Sequence, residues 1–360
     1  MKREAPDPVE LLKELVATPS LSGEEAALAE LIVKRARDWG LSPGMMGRNV
    51  VIRVGADEGP HLLMNSHLDT VAPVAAWSHD PFDPQEIDGR ISGLGANDAK
   101  GCVAALLGAV AGIADRWLPG QVVLALTVDE EIGGGGEGLE QLIGELGPLD
   151  AAVIGEPTSL DICCAQKGLL ILEVETHGDA RHAAHAHRLP GVNAIEEAAN
   201  AISALGDWDP GPEHPLLGPS TCHVTTVDGG TRRNVIPDRC TFCVDIRTVD
   251  DASVPGFVDQ MRSLTGAEVR VRSDRLKSFS TDPDSSIARA ARRARPDSEI
   301  IGSATLSDAV WTRHLPTVKV GPGHTERSHT ADEYITRSEL EEGVVFYLRL
   351  IEEYLARAGS

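Results

Sequence analysis

Apolar residues along the first 165 positions fall in two alternating rhythms. Leu11, Leu12, Leu15 and Val16 recur at helical spacing behind Pro8 and predict a helix over 9–17. The turn Ser20-Leu21-Ser22-Gly23-Glu24-Glu25 leads into a second, amphipathic helix over 26–39. Short, nearly continuous apolar runs at 61–65, 121–128 and 151–154 read as strands, and 103–114 and 139–146 read as helices. Unbroken apolar strands alternating with helices imply an α/β fold with a mostly parallel sheet covered by helices.

The rhythm changes near Gln166. Strands are expected over 169–176, 222–227, 240–248 and 269–272, with helices over 193–205 and 252–264. This β-α-β-β-α-β order is that of a small α+β, ferredoxin-like sandwich. Beyond Lys277 come a helix over 285–293, a glycine-rich segment and a closing helix over 337–357.

Onto this frame the chain places a set of metal-binding side chains. They are His67 in Ser66-His67-Leu68-Asp69-Thr70, Asp98 in Gly95-Ala96-Asn97-Asp98-Ala99-Lys100-Gly101, the pair Glu130-Glu131, Glu156 before Pro157, and His329 in Ser328-His329-Thr330. Singly, each has a bland reading: a turn histidine, a helix-start carboxylate, a solvated acidic pair, a loop acid. Together, two imidazoles and three carboxylates with a glutamate to spare suit two divalent metals sharing a bridging group, which can activate water and polarise a carbonyl. His67, Glu130, Glu131 and Glu156 all fall just past the carboxyl ends of expected strands, where open α/β sheets form their ligand crevice. Adjacent glutamates can divide labour, Glu131 toward a metal and Glu130 free to move a proton. Asp69 is placed to accept a hydrogen bond from the other ring nitrogen of His67. For His329 to join the first-half residues, the catalytic domain must be discontinuous, 1–165 with 278–360, around an inserted domain over 166–277.

Composition narrows the picture. A chain of 360 residues exceeds one ordinary core, and 42% hydrophobic with 24% charged residues is the balance of a soluble globular protein. The net charge of -22 argues against nucleic acid or an anionic membrane as partner. No run approaches the roughly 20 apolar residues of a membrane span, and the polar, proline-broken start resembles no signal peptide, so a cytoplasmic protein is expected. Only seven of the 33 basic residues are lysine, which fits a GC-rich genome or a salty cytoplasm. Six scattered cysteines make no disulfide framework, and alternation along 240–247 would turn Cys240 and Cys243 of the CxxC to opposite faces.

The segments 63–70, 93–101, 127–136, 154–158 and 321–334 resemble, in order, the motifs of the acetylornithine deacetylase / succinyl-diaminopimelate desuccinylase / aminoacylase / carboxypeptidase G2 superfamily of metallopeptidases. The resemblance implies two metal ions, zinc with cobalt or manganese as alternatives, in a catalytic domain carrying an inserted lid and dimerisation domain. It implies that His67 and Glu156 hold one metal and Glu131 and His329 the other, that Asp98 bridges, that Glu130 is the general base and that Asp69 supports His67. In the inserted domain, His182 resembles the histidine that reaches the partner subunit's active site to stabilise an oxyanion. Asn234 and Arg247 match positions that bind the substrate's α-carboxylate. Gly155-Glu156-Pro157-Thr158-Ser159-Leu160, Lys167-Gly168, 302–308 and 328–334 look most like acetylornithine and acetylcitrulline deacetylases. Two departures are Arg181, where relatives more often carry a small residue, and Ala99 after the bridging aspartate. The expectation is a homodimeric deacetylase of N-acetylornithine or N-acetylcitrulline in arginine biosynthesis. Its rivals are N-succinyl-LL-diaminopimelate desuccinylation, N-acetyl-lysine deacetylation and, more distantly, a dipeptidase or carboxypeptidase.

Overall fold

The apolar runs at 61–67, 121–127 and 151–154 lie side by side at the centre of a mixed sheet. A computed structural model describes residues 6–133, 136–188 and 190–358. Its strands run in the order Pro43–Met46, Asn49–Gly55, Gln121–Thr127, His61–His67, Ala151–Ile154, Thr317–Lys319 and Ile162–Gln166. His61–His67 pairs in parallel with Gln121–Thr127 on one side and Ala151–Ile154 on the other, and Thr317–Lys319 continues the parallel run. Every residue of Gln121–Thr127 is buried, so both faces of the strand must be apolar and no alternation survives. Parallel pairing has a consequence for chemistry: His67, Thr127 and Ile154 end their strands at the same edge of the sheet.

The hairpin Pro43–Met46/Asn49–Gly55 adds an antiparallel edge missing from the elements expected above, although Val50, Val51, Ile52 and Val54 form an apolar run. Its turn rests on Gly47, whose φ of 61° lies in the left-handed region. The helix Lys100–Ile113 is buried almost throughout, and its glycines let the closing helix Arg337–Ala358 approach. A β-carbon on Gly108 would stand 3.2 Å from Val344. The expected helix over 139–146 is only Leu139–Leu142, followed by a 3-10 turn over Ile143–Glu145. Gly144, Gly147 and Pro148 supply little helix propensity to extend it.

The chain divides into two compact units. One comprises the residues up to Cys164, Ser280–Gly302 and those from Ser307 onward; the other comprises Ala165–Phe279 and Ser303–Leu306. In the second unit the antiparallel order is Thr221–Gly229, Arg239–Thr248, Gly168–His177, Glu268–Leu276, with helices Ala194–Ala204 and Val254–Thr265. That is the ferredoxin-like arrangement its element order implies. Leu170, Leu172, Val174, Phe242, Val244, Ile246 and Met261 build its core from alternate strand positions and one helix face. The same alternation buries Cys240 and leaves Cys243 half-buried. No helix among the described residues is long and apolar enough to cross a membrane.

Candidate metal centre

Three strands and two loops deliver the polar cluster. His67 is the last residue of its strand, Glu130 and Glu131 follow the strand ending at Thr127, and Glu156 follows the one ending at Ile154. Short bonds hold these ends together: Leu68 N–H donates to Thr127 O at 2.7 Å, and Ser66 Oγ donates to Gly155 O at 2.8 Å. Asp98 sits just before the buried helix that starts at Lys100, and its peptide bond to Ala99 is cis. His329 lies beyond Thr317–Lys319 in the left-handed region, with φ of 60°.

The side chains converge. His67 Nε2 is 3.2 Å from Asp98 Oδ1 and 3.8 Å from Glu156 Oε1. His329 Nε2 is 3.0 Å from Glu131 Oε2 and 3.8 Å from Asp98 Oδ2. One ligand atom each from His67, Asp98 and Glu131 lies within 4.8 Å of the others. The two oxygens of Asp98 thus face one histidine each. Glu156 Oε1 is buried and accepts no hydrogen bond among the described residues. A buried oxygen left this way is costly, and a cation is the partner it fits. The donor set of imidazoles and carboxylates suits zinc, cobalt or manganese.

The surroundings fix these groups. His67 Nδ1 lies 3.0 Å from Asp69 O, an atom that can only accept, so Nδ1 carries a proton. Burial alone would lower His67, yet the surrounding carboxylates outweigh it and hold the ring well above the ordinary imidazole value. Nε2 therefore also carries a proton toward Asp98 until a metal takes its place. The Asp69 carboxylate is farther from Nδ1, at 3.5 Å. It accepts instead from the Glu130 and Glu131 N–H groups, both at 3.1 Å, and from Ser22 Oγ at 2.7 Å. Asp69 therefore orients the glutamate pair as well as the histidine. Before that pair, Asp129 is held in the left-handed region with φ of 61° by Arg48, whose Nη2 donates to Asp129 Oδ2 at 2.8 Å. Arg48 also pairs with the fully buried Glu25, and Glu25 Oε1 accepts from Asp129 N–H at 3.3 Å. Gly134 and Gly135 of the motif over 127–136 lie outside the described residues.

Burial dominates the electrostatics. It raises the Glu130 carboxyl well above the ordinary value; His67 opposes this, while Glu156, Asp308 and Glu131 add to it. Burial and the Asp98 charge push Glu156 up to about 8. The Glu131 carboxylate raises His329 to about 9. Burial alone would raise Asp98, yet the His67 imidazole beside it holds it below the ordinary value. Protons on His67, Glu156 and His329 must leave before these groups can bind a metal, so metal affinity should rise with pH between 6 and 8. About tenfold per pH unit is expected for each displaced proton. Chelator-competition titrations at the two pH values measure this, and pH-independent affinity would contradict it.

Several residues around the cluster carry no motif of their own. Glu333, 2% exposed, takes three backbone N–H groups of the loop bearing Asp98. Lys100 is fully buried, donates to Leu15 O and Thr18 O at 3.0 Å each, and is lowered by burial to about 7. Asp308 accepts from Thr127 Oγ1 at 2.9 Å and is raised by burial to about 6. Only a buried charge at a site edge could have flagged them, and burial is not written in a single sequence.

His182, Asn234 and Arg247 belong to the second unit. His182 pairs with Val235 across a two-residue ladder, and Ala183 N–H donates to Asn234 O at 2.9 Å, so His182 and Asn234 are neighbours. His182 is exposed, and its Nδ1 accepts from Ala184 N–H at 3.1 Å. Arg247 lies on another strand, its guanidinium forked onto Asp245 at 2.9 and 3.1 Å. Arg181 is paired with Asp179 at 2.9 Å.

A succinyl-diaminopimelate desuccinylase of Paracoccus denitrificans is 31% identical over 98% of this chain and 99% of its own length. An acetylornithine deacetylase of Pectobacterium carotovorum is 29% identical over 93% and 94%. The solved structure of Bacillus subtilis YxeP, described as a dinuclear metal binding peptidase, superposes with a TM-score of 0.76 at 18% identity, covering 97% of this chain and 98% of that one. Residues 63–353 match the model of peptidase family M20/M25/M40, and the chain belongs to that family.

Proposed function

We propose that the chain is a two-metal amidohydrolase that removes the acyl group from an N-acyl amino acid, with N-acetylornithine or N-acetylcitrulline as substrate. The observation that carries the two-metal reading is the convergence of His67, Asp98 and Glu131 beside a buried Glu156 oxygen that accepts no hydrogen bond among the described residues; the choice of substrate rests on the motif resemblance. His67 and Glu156 would hold one ion, Glu131 and His329 the other, and Asp98 both, with zinc the expected metal. When bound, such ions supply an acidified water and polarise the amide carbonyl. Glu130 then takes a proton from the attacking water and delivers it to the amide nitrogen as the C–N bond breaks, leaving a carboxylate and a free amino acid. Burial raises the Glu130 carboxyl above its ordinary value, which favours its holding the proton between the two transfers. Asp69 holds the Glu130 and Glu131 backbone while this happens.

His182 is assigned the oxyanion role that the resemblance implies, within a homodimer. With Nδ1 accepting from Ala184 N–H, the ring proton sits on Nε2, the donor form an oxyanion needs. Asn234 and Arg247 are assigned to the substrate α-carboxylate, with Asp245 as the group Arg247 must share. The setting is arginine biosynthesis in the cytoplasm.

A second reading, N-succinyl-LL-diaminopimelate desuccinylation, is favoured by the name of the relative at 31% identity, although the deacetylase at 29% is scarcely more distant. Against it, Asp179 already occupies the Arg181 guanidinium, the one departure that would suit a second substrate carboxylate. Steady-state hydrolysis of N-acetyl-L-ornithine, N-acetyl-L-citrulline, N-acetyl-L-lysine and N-succinyl-LL-diaminopimelate by metal-loaded protein separates the two. The acetyl-ornithine or acetyl-citrulline compound should have the highest kcat/KM; a clear preference for the succinyl compound would overturn the substrate assignment.

A further inference from the structure

We propose that Glu333 and Asn97 form a clamp that joins the loop bearing Asp98 to the loop bearing His329, and so sets the geometry of both metal sites at once. The proposal rests on the ligand assignment above. Neither loop has regular structure at its ligand, yet Asp98 must present one oxygen to His67 and the other to His329. Sites of this kind need their groups fixed to a fraction of an ångström, which an unsupported loop does not provide.

Glu333 supplies one half of the support. Its Oε1 accepts from Asp98 N–H at 2.7 Å and Asn97 N–H at 2.9 Å, and its Oε2 accepts from Gly95 N–H at 3.1 Å. Three bonds to the amides of Gly95, Asn97 and Asp98 fix the peptide planes that aim the Asp98 side chain. Glu333 stands four residues after His329, so the same side chain anchors the end of the second loop.

Asn97 supplies the other half. Its Nδ2 donates to His324 O at 3.0 Å and to Ser328 Oγ at 3.3 Å, and its Oδ1 accepts from His324 N–H at 2.9 Å. Ser328 directly precedes His329. The fit is close: a β-carbon on Gly323 would stand 2.3 Å from Asn97 Oδ1. Asn97 itself is fully buried, while its partners His324 and Ser328 lie nearer the surface. Acting through Asp98 and His329 rather than on substrate, both are positioning residues.

The test is metal binding by chelator competition on metal-free wild type, Glu333→Gln, Asn97→Ala and His329→Ala, each held well below its own melting temperature. Glu333→Gln puts an amide donor among amide donors and should weaken metal binding by about 10–100-fold, the usual cost of removing a group that orients a ligand. Asn97→Ala should shift the affinity in the same direction, with circular dichroism unchanged. A role in stability alone would lower the melting temperature and leave the affinity of the folded protein intact. Wild-type affinity in both clamp variants, with His329→Ala weakened, would overturn the clamp. Wild-type affinity in His329→Ala would instead overturn the ligand assignment. Should Glu333→Gln fail to fold, Asn97→Ala decides: unchanged affinity sinks the proposal.

Discussion

Replacing Glu130 by alanine should lower kcat by about a thousandfold or more while leaving metal binding in place. The carboxyl sits beside the convergent cluster without being one of its three closest ligands, and Asp69 fixes its backbone through a 3.1 Å bond. Of the other carboxylates, Glu131 faces His329, Asp98 is divided between two histidines, and Glu156 is assigned to a metal. Glu130→Gln keeps the shape and removes the proton acceptor, so it should be nearly as inactive. Stopped-assay turnover and metal content on the same preparations measure both quantities. A kcat within tenfold of wild type, with metal bound, would mean that another group carries the proton.

The largest loss of stability should come from Arg48→Met. Arg48 bridges Glu25, which has no exposed surface, and Asp129, which is 3% exposed. Removing the guanidinium strands two buried carboxylates, and breaking a buried pair in this way costs about 3–5 kcal/mol. The added change of Glu25→Gln and Asp129→Asn removes the stranded charges and should recover much of the loss. Urea unfolding of metal-free protein measures it. Because Asp129 directly precedes Glu130, Arg48→Met should also lower kcat in whatever fraction remains folded. A midpoint unchanged from wild type would show that the triad is solvated in solution.

The parallel core was readable because its strands are buried on both faces and so written as short, nearly continuous apolar runs at 61–65, 121–128 and 151–154. Site residues at the ends of those strands followed from the same pattern. The hairpin at 43–55 was half readable: Val50, Val51, Ile52 and Val54 form an apolar run missing from the elements expected above, whereas Gly44, Met45 and Met46 show no alternation and half of that edge faces water. The strand Thr317–Lys319 is three residues long, too short for any periodicity, although it completes the run that leads to His329. Motifs exposed the groups that would touch metal. They gave no role to Glu333, Arg48, Lys100 or Asp308, whose importance comes from burial and from partners far away in sequence: backbone N–H groups for Glu333, carboxylates for Arg48, carbonyls for Lys100 and a hydroxyl for Asp308. Asp69 shows both sides: its placement beside His67 was legible, and its hold on Glu130 and Glu131 was not.

The most direct measurement is hydrolysis of N-acyl amino acids and free dipeptides by protein stripped with a chelator and then reloaded with zinc, with bound metal counted at each step. Stripped protein should be inactive. Activity toward N-acyl amino acids should return with added zinc and level off by two ions per chain, free dipeptides being poorer substrates and Glu130→Ala silent throughout. Full turnover by stripped protein, or no hydrolysis of any acyl amino acid by protein holding two ions, would contradict the two-metal amidohydrolase assigned here.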